Sequence, residues 1–299
     1  MRILLIHNPK AGDGKHTEEQ LIASLTRCGH QALYESTKKR GWKKALKKSV
    51  DLVIAAGGDG TVRKTAWQLM DSGIPLSILP LGTANNLARS LGFTAPTEEI
   101  LRSLNYGQRR RFDVGMLRSS SRARFFLEAA GGGLFADYFR AADKLEKKGV
   151  VPEEKLTAQV SLLRELSFRY PARQCSMTLD GEDISGRYIL WGAMNIRSAG
   201  PALHLAPKAV SDDGRLDFIA VREHDRPLLI QHLDARLAGR KKRLPLKPRK
   251  FRELFITSPV GAIHVDGKIL RNKKNKNIKS PCSAEVTVKP AALIIWQPE

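Results

Sequence analysis

The run Gly57-Gly58-Asp59-Gly60-Thr61 has the composition of a phosphate cradle. Glycines let the main chain approach an anion closely and accept positive φ. The helical pattern that follows, Val62 to Met70, would aim unpaired N–H groups and the positive end of its dipole at the same place. An acid inside such a turn suits a magnesium-bound nucleotide better than a bare phosphate, which Asp59 would repel. A second polar turn, Pro80-Leu81-Gly82-Thr83-Ala84-Asn85-Asn86, follows one strand–helix spacing later. A glycine serving only a tight corner predicts one glycine with indifferent neighbours, whereas four of the five residues in the first turn are Gly or Asp.

Elements of a particular kind must hold these turns. Apolar runs at residues 2 to 6, 52 to 56 and 76 to 79, with another strand near Gln31 to Tyr34, alternate with helical patterns at about 17 to 28, 62 to 71 and 84 to 91. That rhythm predicts an α/β N-terminal domain with a parallel sheet covered by helices, its two turns facing one crevice. From about Arg111 the pattern changes to short strand-like segments separated by turn residues: 125 to 129, 175 to 179, 188 to 194 and 216 to 221. They predict a mainly antiparallel β-sandwich C-terminal domain. Two helical intervals interrupt it, about Leu134 to Lys148 continuing through Lys155 to Phe168, and Pro227 to Gly239. The expected domains are 1–110, binding nucleotide, and 111–290, shaping the acceptor and lipid site, with the active cleft between them.

Four segments in this order resemble the diacylglycerol kinase catalytic-domain family, which includes bacterial lipid kinases and sphingosine kinases. They are Asn8-Pro9-Lys10-Ala11-Gly12, Gly57-Gly58-Asp59-Gly60-Thr61, Pro80 to Asn86, and Pro207-Lys208-Ala209-Val210-Ser211-Asp212-Asp213-Gly214. The glycine–aspartate turn alone is shared with NAD kinases and phosphofructokinases. The resemblance implies an ATP-dependent lipid kinase that uses Mg²⁺ and moves a γ-phosphoryl group to a lipid hydroxyl, diacylglycerol-like or sphingoid. It implies that Asn8, Gly57, Gly58, Gly60, Thr61, Gly82, Thr83 and Asn85 bind the nucleotide and that Asp59 and Asp266 carry the catalysis. Local turn capping is an equal reading for Asn8, Thr83 and Asn85 taken singly. By the same resemblance Asp213, with the carbonyls of Val210 and Arg215, forms a structural magnesium site, a plain Asp-Gly turn being the alternative. The resemblance also implies that a last strand, about 291–299, returns to the first domain.

Departures from the family's pattern bear on activity. Where many members carry Asp-Gly-Glu, this chain reads Asp266-Gly267-Lys268, and a charged lysine cannot accept a proton. Any base is then Asp59, Asp266 or a residue outside the motifs. Arg63-Lys64 stands in place of Asn-Glu, and Asn86 in place of an aspartate. These changes motivate one alternative, a non-catalytic protein holding nucleotide or anionic membrane on a degenerate kinase fold; the shared glycine–aspartate turn motivates another, a kinase of a soluble substrate such as NAD.

Composition sets outer bounds. No run among the 299 residues approaches the ~20 apolar residues of a membrane span, and the N-terminus opens as a strand, so the expected location is cytoplasmic and peripheral to a membrane. Cys28, Cys175 and Cys282 fit no metal or disulfide spacing. Gly14-Lys15 runs into His16, not the Ser or Thr of a Walker A loop, and the seven histidines show no zinc-type pairing. Fifty-one Lys and Arg against 30 Asp and Glu give a net charge of +21. The excess clusters in Lys38–Lys48, Arg240–Arg252 and Lys268–Lys279. With aromatics at 6% and only Trp42 and Phe251 within those runs, nucleic acid is not an expected partner; an anionic membrane surface is.

Overall fold

The computed structural model describes residues 1–119, 122–146, 152–240, 244–258, 262–270 and 282–297. They divide into two compact units, Met1–Asp113 with Pro290–Glu299, and Val114–Lys289. Each is described separately.

In the first unit β1 (Arg2–His7), β2 (Gln31–Ser36), β3 (Leu52–Gly57) and β4 (Leu76–Pro80) form a parallel sheet in the order β4-β3-β1-β2. Burial on both faces explains the continuous apolar runs: Ile3, Leu4, Leu5 and Ile6 are all fully buried. Helix α1 (Glu18–Arg27) starts from a capping box in which Thr17 and Gln20 satisfy each other's backbone N–H. Helix α2 (Asp59–Leu69) begins at Asp59, three residues before the predicted start at Val62, so Asp59, Gly60 and Thr61 form its first turn. Two short helices follow, α3 (Asn86–Ser90) and α4 (Thr97–Ser103). The right-handed rule for parallel crossovers puts α1 and α2 on opposite faces, because β1→β2 and β3→β4 step in opposite directions along the sheet.

Sheet order is completed from the far end of the sequence. The strand Cys282–Gln297 belongs to the second unit up to Lys289, and from Pro290 it lies in the first, where Ile295 pairs in parallel with Leu76 of β4. Trp296 donates its indole N–H to Leu104 O at 3.0 Å and Gln297 its amide to Leu91 O at 2.7 Å.

The second unit is built around the strand Gly186–Met194. It pairs antiparallel with Ala129–Gly133, Leu216–Arg222 and Arg173–Leu179. An irregularity after Tyr188 resets its register. From Leu190 onward its side chains alternate, Leu190 and Met194 joining one apolar cluster and Trp191 and Ala193 the other. Helices α5 (Leu134–Glu146), α6 (Pro152–Arg169) and α7 (Arg226–Leu237) cover the first cluster, and the second fills the interior between strands, with Phe126, Met177, Phe251 and Val286. The run 125 to 129, predicted as one strand, is broken: Arg122–Phe126 and Ala129–Gly133 flank a bend at Leu127-Glu128.

His264, in the short strand Ile263–Val265, is buried with its ring 4.6 Å from that of Phe139 and 5.9 Å from that of Phe135. Among the described residues neither ring nitrogen has a hydrogen-bond partner, and burial lowers its pKa from 6.5 to about 3. A depressed histidine stabilises the fold fully above 6.5, and that stability is lost as pH falls towards about 3. The shift corresponds to roughly 5 kcal/mol. Urea unfolding of His264→Gln across that interval should show a shallower loss of stability than the parent; equal slopes would mean that the imidazole is not held neutral.

Candidate functional site

Three loops of the first unit meet at the carboxyl edge of the parallel sheet. The loop after β1 is tied to β3 by Asn8 N–H to Ala56 O at 2.9 Å, and the loop after β4 to β3 by Leu81 N–H to Gly57 O at 3.1 Å. Their approach is closer than side chains allow. A methyl group on Gly82 would lie 2.4 Å from Gly58 Cα and 2.7 Å from Asn85 Oδ1; one on Gly58 would lie 3.2 Å from Gly82 Cα. Gly57 is pressed by the Thr61 side chain, whose Oγ1 would stand 2.5 Å from an added Cβ. At Gly12, φ is +62° and an added Cβ would meet Leu81 O at 3.2 Å. Gly60 is different: nothing lies within 4 Å, and it faces outward.

Asp59 straps the second loop to the first. Its Oδ1 accepts the Leu87 N–H at 3.1 Å, so the carboxylate of α2's first residue caps the start of α3. Burial is the largest influence on this carboxyl and pushes its pKa up, opposed by the backbone donors of Leu87 and Asn86 and by the Arg63 guanidinium. Arg63 is buried and lies 5.6 Å from the centre of the Trp67 ring, whereas Lys64 points outward. Of the departures noted in this helix, Arg63 therefore acts on Asp59 and Lys64 does not.

The remaining first-unit residues divide between two uses. Asn85, at φ 48°, spends its amide on its own loop: Oδ1 accepts the Gly82 N–H at 2.9 Å and Nδ2 donates to Gly82 O at 2.7 Å and Pro80 O at 3.2 Å. It holds the turn in shape. Asn8 Oδ1 accepts the Lys10 N–H at 3.4 Å, and Thr83 is exposed at the loop apex. Thr61 is buried, and its N–H bonds Gly58 O at 2.8 Å. The cap residue of α2, Gly58, supplies no side-chain bond to the helix start. Sequence reasoning missed His7, buried at the end of β1, whose Nδ1 meets the Tyr34 hydroxyl at 3.0 Å. Nothing in the spacing of these two residues announces the pair.

The second-unit candidates do different work. Asp266, at φ 44°, accepts three backbone N–H bonds, from Leu127 (3.0 Å), Glu128 (2.9 Å) and Ala129 (3.1 Å), and its own N–H bonds Ala129 O at 2.8 Å. Both carboxylate oxygens accept bonds from the bend between strands, Oδ2 from Leu127 and Oδ1 from Glu128 and Ala129. Lys268 Nζ lies 3.8 Å from Asp143 of α5, with both side chains exposed. At the expected magnesium site Asp213 Oδ1 accepts the Arg215 N–H at 3.1 Å and Oδ2 pairs with Lys250, so the cation beside it is a lysine. Val210 is exposed. Among the described residues no group of three or more His, Cys, Asp or Glu could hold a metal ion.

A profile of the diacylglycerol kinase catalytic domain matches residues 2–117, and one of the YegS C-terminal NAD kinase beta sandwich-like domain matches residues 137–294. The chain belongs to the diacylglycerol kinase family. It is 27% identical over 236 residues to a diacylglycerol kinase of Bacillus subtilis, covering 74% of each chain. With a diacylglycerol kinase of Mycobacterium tuberculosis it shares 26% over 257 residues, covering 85% of this chain and 79% of the relative. The fold matches the crystal structure of a diacylglycerol kinase from Bacillus anthracis with a TM-score of 0.69 at 19% identity, covering 99% of this chain and 96% of that one. Diacylglycerol kinase-like proteins thus share this pairing of an α/β domain and a mostly antiparallel sandwich, and the family is one of phosphotransferases.

The close approach of the loops makes a sharp contrast testable. Gly82→Ala should lower the melting temperature by several degrees, a loss of about 1 to 3 kcal/mol, because its Cβ meets main chain that cannot yield. Gly60→Ala should leave the melt unchanged. If the two substitutions cost the same, the loops are not packed as described.

Proposed function

We propose that the chain is an ATP-dependent lipid kinase in which the glycine loops of the first unit bind the nucleotide and Asp59 serves the transfer. The observation that carries this reading is the Asp59–Leu87 bond, which places one carboxylate of raised pKa inside a cradle where Gly58 and Gly82 leave no side chain. Amide N–H groups at the start of α2 suit phosphate oxygens, and Gly60, with open space where a Cβ would stand, lets an anion approach the main chain. Asn8 and Thr83, at the rims of the two neighbouring loops, offer hydrogen bonds to the rest of the nucleotide. Magnesium, when bound with ATP, would neutralise charge on the transferred phosphoryl group. Asp59 is the acid suited to stand beside it.

The acceptor is a hydroxyl of a diacylglycerol-like or sphingoid lipid, the first in keeping with relatives named diacylglycerol kinase. Of the two carboxylates the motifs offer to take its proton, Asp266 is held to the bend at Leu127-Glu128 by backbone donors. Asp59 remains. A carboxyl pushed up towards neutrality is a better base than one at its ordinary value. The net charge of +21 draws both ATP and an anionic bilayer, so the protein acts as a peripheral visitor to the membrane from the cytoplasm. Among the described residues no helix is long and apolar enough to cross one.

A second reading, nucleotide binding without transfer, is favoured by one observation: the Lys268–Asp143 pair stands where many relatives of this family carry a glutamate. One pair of variants separates the two. Asp59→Asn keeps an acceptor for the Leu87 N–H but cannot take a proton; Asp59→Ala loses both. With labelled ATP, magnesium and diacylglycerol or sphingosine in mixed micelles, Asp59→Asn should bind ATP as the parent does and turn over about 10²- to 10⁴-fold more slowly. Asp59→Ala should also bind ATP more weakly in calorimetry. Turnover absent from the parent with ATP binding intact would establish the second reading; absence of ATP binding would overturn both.

A further inference from the structure

The three basic runs are not equivalent. Arg249 pairs with Glu182 and Lys250 with Asp213, and residues 241–243 of that run lie outside the described residues, as do 271–281 of the third. The first run is described throughout. Residues 37–50 hold seven Lys or Arg and no Asp or Glu. All seven cations are exposed, and among the described residues Lys39 alone of them makes an ion pair, with Glu35 at 3.6 Å.

This run is a built platform. Gly41, at φ 81°, caps a 3₁₀ turn over Trp42–Lys47 whose Ala45 and Leu46 are buried and whose Trp42 is half-buried. The apolar residues pin the turn to the sheet's α2 face, and the lysines between them are left outside. The turn packs against α2. The outward stripe of that helix is Gly60, Lys64, Trp67 and Gln68, the spacing of one helical face. Trp67 is 38% exposed, a large amphipathic ring on the helix against which the lysine-bearing turn packs. The platform also starts at the loop edge: Thr37 N–H bonds His7 O at 2.8 Å, one residue from Asn8.

We infer that the α2 face of the first unit, the Lys43–Lys48 turn together with Lys64 and Trp67, is the surface that docks on an anionic phospholipid bilayer. This rests on the lipid-kinase reading for its purpose, but not for its chemistry. Clustered lysines with no acids among them suit a sheet of phosphate headgroups, and an exposed tryptophan suits the headgroup boundary, where its ring is half in apolar surroundings. Charge complementarity selects a bilayer surface over a protein groove, since exposed lysines are depleted from the core of stable protein interfaces.

Co-sedimentation of the full chain with phosphatidylcholine vesicles, with and without phosphatidylglycerol, tests it. The parent should bind only the anionic vesicles and release them as salt rises. Each cation removed should weaken partitioning roughly fivefold. Reversal of Lys43, Lys44, Lys47 and Lys48 to Glu should therefore lower it by more than about 100-fold, and Trp67→Ala should abolish the blue shift of tryptophan emission on binding. Circular dichroism checks that the reversed variant folds; four Lys→Gln changes, expected to lower partitioning by at least tens of fold, replace it otherwise. Unchanged vesicle binding by these variants overturns the assignment, as does a parent that binds duplex DNA in preference to vesicles and loses that with the same substitutions. Calorimetry with magnesium and ATP keeps the two readings apart: vesicle binding without nucleotide binding sinks the kinase and leaves the surface standing.

Discussion

The contact on which the first unit depends is between two α-carbons that carry no side chain. Gly58 and Gly82 bring the ends of β3 and β4 close enough that Asp59 can cap α3, and that bond in turn fixes where the second loop sits. Remove the space and the strap has nothing to reach. The arrangement also sets the electrostatics: a carboxyl enclosed by two loops is poorly solvated, yet backbone donors and Arg63 keep it from being an isolated charge. Geometry and reactivity come from the same close approach.

Much of this was legible in the residues. The parallel strands and the glycine–acid turn follow from apolar runs and turn chemistry that operate over a few positions. The strand Gln108–Ser119 was not legible, because Arg109-Arg110-Arg111 masks its start; nor was the length of Cys282–Gln297, interrupted as it is by Pro290 and by Ala291 at φ 50°. The start of α2 at Asp59 was hidden by Gly60, which reads as loop although an uncapped helix start accepts it.

Side-chain roles were harder than elements. The sequence pattern placed Asp266 at a catalytic position, but its partners are backbone groups 137 to 139 residues away, and no local signal names a backbone donor. Asn85 similarly satisfies its own turn. Asp59 and Asp266 are both carboxylates that accept main-chain N–H bonds from residues distant in the sequence.

The strand that begins at Cys282 contributes the neighbour of β4 only in its last residues, Pro290 onward. During synthesis, β1 to β4 emerge from the ribosome long before that neighbour exists, so β4 waits as a bare edge with an apolar flank. The first unit cannot finish as an independent early intermediate. Its maturation is postponed until the sandwich between its two parts has been made, which makes the order of folding a property of where the chain re-enters the sheet.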